Sequence, residues 1–66
     1  MHHKNMNGRD VIRRLQTEGW RLRRIQGSHH IMEKDGCKVP VPVHRTHDIK
    51  LGTLAAIKRQ TNVDLS

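Results

Sequence analysis

Asp35-Gly36 is the pair that most constrains what this chain can fold into. It stands between two short runs, His29 to Lys34 and Cys37 to Val43, and an Asp-Gly dipeptide between such runs is a strong signal for a tight β-hairpin turn. A turn centred there fixes the register. Lys34 then pairs with Cys37, Met32 with Val39, His30 with Val41 and His29 with Pro42. Side chains alternate between the two faces of a strand, so Met32, Val39, Val41 and Val43 gather on one face together with His30. His29, Ile31, Glu33, Lys38, Pro40 and Pro42 gather on the other. The first face is apolar enough to be covered by helices, and the second is polar, basic and proline-bearing. A three-residue loop with a bulge would shift the register and exchange the two histidines. Pro40 and Pro42 cannot donate to a ladder, so their strand is expected to lie at a sheet edge or to stop pairing on that side.

The remaining segments supply the elements that this hairpin needs. Asn7 followed three residues later by Asp10 predicts a capped helix start. Val11, Ile12 and Leu15 share one face of a helix that runs to about Glu18, with Gly19 as its stop. Trp20 to Gln26 alternates, placing Trp20, Leu22 and Arg24 on one side and Arg21, Arg23 and Ile25 on the other. Gly27-Ser28 is a tight connection to the next strand. His44 to Asp48 is a polar connector whose Asp48 could cap a second helix. That helix carries Leu51, Leu54, Ala55, Ile57 and Lys58, continues to about Thr61, and has Asn62 as a left-handed stop. The expected fold is α+β, in the order α-β-β-β-α, with a three-stranded antiparallel sheet and both helices on one face. Its expected core is Val11, Ile12, Leu15, Trp20, Met32, Val39, Val41, Leu54 and Ile57. Residues 1–6 have no periodicity, and His2 and His3 read as a tag remnant or a frayed start. Residues 7–66 are read as one domain.

Composition narrows the function classes. A 66-residue chain buries only about 60% of the surface it exposes when unfolded, so its core is thin. Its single cysteine, Cys37, can form no internal disulfide and no multi-thiolate zinc site, and is expected as a small packing residue. No apolar run approaches the ~20 residues needed to span a bilayer, and no hydrophobic secretory segment follows the start, so a cytoplasmic location is expected. Thirteen Lys and Arg against six Asp and Glu give a net charge of +7, which favours polyanions as partners. Arg9, Arg13, Arg14, Arg21, Arg23 and Arg24 are clustered, and arginine forks match phosphate oxygens. Nucleic acid is therefore the leading ligand class, with an acidic protein second. Trp20 is the one aromatic residue apart from histidine and is expected in the core. RNA would then be held through phosphates and shape, not through base stacking.

Chemistry points to Gly27-Ser28-His29-His30. Imidazole, with an unperturbed pKa of ~6.5, can take up and return a proton near neutrality. RNA cleavage can use the substrate's own 2′-hydroxyl as nucleophile, so an enzyme needs only a base, an acid and charge stabilisation. Arg21, Arg23 and Arg24 directly precede the turn and are suited to position phosphate. A reading of both histidines as ordinary strand residues carries equal weight on these grounds alone. A metal site built from His29, His30, His44 and His47 is disfavoured, since neighbouring strand residues point to opposite faces and no thiolate or carboxylate spacing supports zinc.

Four pieces in this order and spacing resemble the HicA family of bacterial toxins. They are Gly19-Trp20 after an amphipathic helix, Gly27-Ser28-His29, the Val39-Pro40-Val41-Pro42-Val43-His44 strand end, and Ile49-Lys50-Leu51-Gly52-Thr53-Leu54 leading to Ile57. The similarity runs from Asn7 to about Leu65. It implies a double-stranded-RNA-binding-domain-like fold and the toxin of a type II toxin-antitoxin pair, a metal-independent mRNA interferase that inhibits translation and growth without a cofactor. It also implies a HicB antitoxin partner that blocks the RNase site. The family's catalytic histidine follows the Gly-Ser pair and matches His29; His44 matches a recurring position and is a candidate second catalytic group. Arg21, Arg23, Arg24, Ser28 and Lys38 are the expected RNA-binding residues, and Gly27 the structural turn. The histidine-rich start and Asn62, where a helix-ending glycine is common, depart from the pattern. A non-catalytic RNA-binding module and a protein-interaction domain are the alternative readings.

Overall fold

The computed structural model describes residues 6–45 and 47–65. Asn7 opens α1 (Gly8–Thr17) with a capping box: its side chain accepts from the Asp10 N–H at 2.9 Å, and the Asp10 carboxylate accepts from the Asn7 N–H at 3.2 Å. Two of the helix's unpaired first-turn donors are thereby satisfied. At the other end the Gly19 N–H donates to Gln16 and the Trp20 N–H to Leu15, at 3.1 and 3.0 Å. This is a Schellman closure, and it turns Trp20 back into the core.

Three strands follow, β1 (Arg21–Gln26), β2 (His29–Lys34) and β3 (Cys37–Pro42), forming one antiparallel sheet in that order. Asp35 at φ 51° and Gly36 at φ 82° form the two-residue turn. The pairing of β2 with β3 matches the expected register throughout, from Lys34 with Cys37 to His29 with Pro42. The sheet face bearing Met32, Val39 and Val41 is buried beneath α1 and α2 (Leu51–Thr61), and all nine expected core residues are buried. Met6, Ile49, Val63 and Leu65 complete the core. Met6 thus leaves the unpatterned start to which its position assigns it; the rest of that stretch, residues 1–5, lies outside the described residues.

Three expectations are corrected. The alternation of β1 is broken by a bulge: Leu22 pairs with Met32, but the next pair is Arg24 with Ile31, followed by Ile25 with His30. The extra residue moves Arg24 to the open face and Ile25 to the helix-side face, the reverse of simple alternation. Asp48 does not cap α2. Asn7 bridges to Asp48 and the Ile49 N–H donates to the Met6 carbonyl at 2.8 Å, so the chain stays extended to bury Ile49. The helix instead begins after Lys50, without a side-chain cap. Cys37 is exposed, because a residue beside the turn lies beyond the reach of the helices. Leu51 is 64% exposed and Ala55 is also exposed, since the buried stripe of α2 is Leu54, Ile57 and Thr61. Asn62, at φ 59°, ends that helix as expected.

Candidate active site

The open face is assembled by two local devices. The first is the Gly27-Ser28 loop between paired residues Gln26 and His29. Gly27 has φ 58° whereas Ser28 has no positive φ, the pattern of a II′ turn with glycine first. A Cβ on Gly27 would meet nothing within 4 Å, so the demand for glycine is conformational and not spatial. The Ser28 carbonyl accepts from the Val43 N–H at 2.7 Å, which ties the loop to the far strand. His29 consequently heads β2 between Gln26 and Pro42, and it is exposed.

The second device is the bulge. Arg23 and Arg24 together oppose Ile31, and the Arg23 guanidinium reaches the Glu33 carboxylate at 3.1 Å. Glu33 is on the face of His29 by register, so Arg23 lies over that face as well. Arg21 and Lys38 flank Glu33 from the two neighbouring strands. An exposed ion pair of this kind contributes about 0–1 kcal/mol, so a phosphate can displace Glu33 from Arg23 at little expense. The sequence contains a signal for this bulge: Leu22 and Ile25 are three apart, which a period of two cannot place on one face.

His30 points the other way. It is half-buried on the helix-side face, between Ile25 and Val41, and its Nδ1 is buried without a hydrogen-bond partner among the described residues. Trp20, only 5% exposed, offers no ring to a base. Leu22 and Ile25 remain 42% and 55% exposed although they face the helix side.

His44 lies past the end of β3. The His47 N–H donates to its carbonyl at 2.9 Å, closing a turn in which Arg45 has φ 54°. His44 and His47 thus face a common cleft whose wall includes Pro42, the residue opposite His29. Among the described residues no three His, Cys, Asp or Glu side chains are disposed to share a metal ion, and no helix is long and apolar enough to cross a membrane.

Residues 8–63 match a family model described as HicA toxin of bacterial toxin-antitoxin. No curated protein matches the chain. The matched span runs from the first residue of α1 to beyond α2 and takes in both hairpins and the basic open face. The chain therefore belongs to the HicA toxin family of bacterial toxin-antitoxin systems.

Proposed function

We propose that this toxin is a metal-independent endoribonuclease that cleaves mRNA in the cytoplasm, and so inhibits translation and growth, with His29 as a general acid or base. The observation that carries this reading is an exposed imidazole at the head of β2 on the same sheet face as Arg21, Arg23, Arg24 and Lys38. Those cations hold the phosphates on either side of the reacting one and offset the charge that develops on it. Ser28 and the Gly27 turn position the imidazole. The 2′-oxygen of the substrate attacks phosphorus as its proton passes to a base, and the bond from phosphorus to the 5′-oxygen breaks as an acid supplies that oxygen with a proton. His29 serves one of these roles, and His44, at the same end of the sheet, is the candidate for the other.

The proposed partner is an acidic, HicB-like antitoxin. An acidic surface is drawn to a chain of net charge +7 and inhibits by covering His29 and its arginines. The test is cleavage of RNA in the presence of chelator, compared with the same RNA carrying 2′-deoxyribose throughout. Cleavage of the ribose strand alone supports the reading. Cleavage of both, or dependence on added metal, overturns it, and RNA binding without cleavage would favour a non-catalytic RNA-binding module.

A further inference from the structure

Beside the open face lies a cleft of about 290 Å³ between the end of β3, the turn that follows it and the first turn of α2. We propose that this cleft is a nucleotide subsite: it holds the nucleotide next to the phosphate at His29, and Asp48 selects its base. The inference rests on the nuclease reading above and adds to it a place for a specific base.

Size is the first argument. Clefts that enclose small ligands begin at about 300 Å³, so this one suits a single nucleotide and not the flank of a duplex. Its lining is the second. Pro42 and the buried Ile49 give apolar walls, while the exposed His44 and His47 present imidazole rings. Unstacked RNA bases are commonly held against aromatic rings, histidine included. With Trp20 buried, these exposed rings, beside the residue paired with His29, are the stacking surfaces on offer. Lys50 and Thr53 supply an ammonium for phosphate and a hydroxyl for ribose.

Asp48 decides the specificity. A carboxylate on a surface built for phosphate is repulsive unless it meets a donor, and an ionised carboxylate only accepts. Asp48 takes part in neither of the ion pairs among the described residues, and its backbone is held by the bridge to Asn7. Guanine, adenine and cytosine each carry an amino group on the Watson–Crick edge, whereas uracil presents two carbonyls around its single N–H. The cleft therefore accepts the first three and disfavours uracil. Continuity with the site comes from Pro42, which lines the cleft and pairs with His29. A strand crossing from the β1 arginines over His29 runs directly into it.

The experiment titrates the full chain with GMP, AMP, CMP and UMP while following the His44 and His47 imidazole resonances, and maps cut sites in a random-sequence RNA for the native protein, Asp48→Asn and Lys50→Ala. GMP, AMP and CMP should move both imidazoles, with UMP weaker. Uracil should be depleted beside the cut by roughly 5- to 150-fold, the range of one well-made base contact. Asp48→Asn, whose amide can also donate, should erase that bias among the cuts that it makes, and Lys50→Ala should weaken all four mononucleotides. Equal binding of UMP, an unchanged cut-site profile for Asp48→Asn, or silence of both imidazoles towards every mononucleotide overturns the subsite even when cleavage proceeds. Absence of cleavage by the native protein overturns the nuclease reading, and the mononucleotide shifts then judge the cleft independently.

Discussion

Replacing Gly8 with alanine should destabilise the fold, although it puts a better helix former into a helix. Gly8 is the first residue of α1 and is buried where the helix meets the end of β3. A Cβ built there would collide with the Pro42 carbonyl oxygen and approach the Val43 Cγ2 and Cα atoms to 2.7 and 2.9 Å. Two of these three obstacles are backbone, which cannot swing aside. Forcing extra volume into such a packed contact costs about 1–3 kcal/mol. The gain in helix propensity is at most ~1 kcal/mol and is smaller in the first turn. The net loss is then about 1–2 kcal/mol, and for a chain of this size each kcal/mol lowers Tm by roughly 4–8 °C. Gly52→Ala is the matched control. Gly52 is in the first turn of α2, and a methyl group added to it would meet nothing within 4 Å, so alanine there should stabilise, by less than the ~1 kcal/mol of a helix interior. Thermal and urea unfolding followed by circular dichroism measure both. Stabilisation by Gly8→Ala, in parallel with Gly52→Ala, would refute the close approach of α1 to β3.

Other outcomes follow from the same packing and charge. Ile57→Ala should lower stability by about 2–5 kcal/mol, read from urea midpoints, because the side chain is buried between α2 and the sheet. Affinity for single-stranded RNA should fall with salt at a log-log slope of about −0.7 per phosphate neutralised, and Arg24→Ala should make the slope shallower by about that amount. The hydrogen bond from Arg14, at 2.7 Å, and then its charge hold the Glu18 carboxyl below the usual carboxylate range. A lowered folded-state pKa stabilises above the unfolded value and is lost as pH falls through the folded one. Arg14→Ala should therefore return the Glu18 titration, followed by carboxyl NMR, towards its ordinary position, with little change in stability because the pair is exposed.

Much of this architecture was legible because its signals are local. Asp35-Gly36 set the β2 and β3 register, and with it the opposite facing of His29 and His30. Asn7 and Asp10 marked one helix end and Gly19 and Asn62 marked two others. What escaped was tertiary. Met6, Ile49, Val63 and Leu65 are buried without belonging to any periodic run, because the segments around the helices close the core's ends. The bulge in β1 left a trace in the spacing of Leu22 and Ile25, but strict alternation hid its effect on Arg24. Asp48 looked like a cap because the sequence could not show Asn7 bridging to it. The cleft shared by His44, His47 and Lys50 exists only once β3 and α2 meet.

The most direct test of the proposed chemistry compares RNA cleavage by the native protein, His29→Ala and His30→Ala, with chelator present throughout. His29 is exposed on the basic face and its neighbour is half-buried on the opposite one, so the two substitutions remove similar side chains from different environments. If His29 transfers the proton, its loss should lower the cleavage rate about 10²- to 10⁴-fold while RNA affinity and the melting temperature stay close to native. His30→Ala should show its effect in stability and keep most of the rate. Undiminished cleavage by His29→Ala, or an equal collapse of rate in both variants without loss of fold, would contradict the assignment.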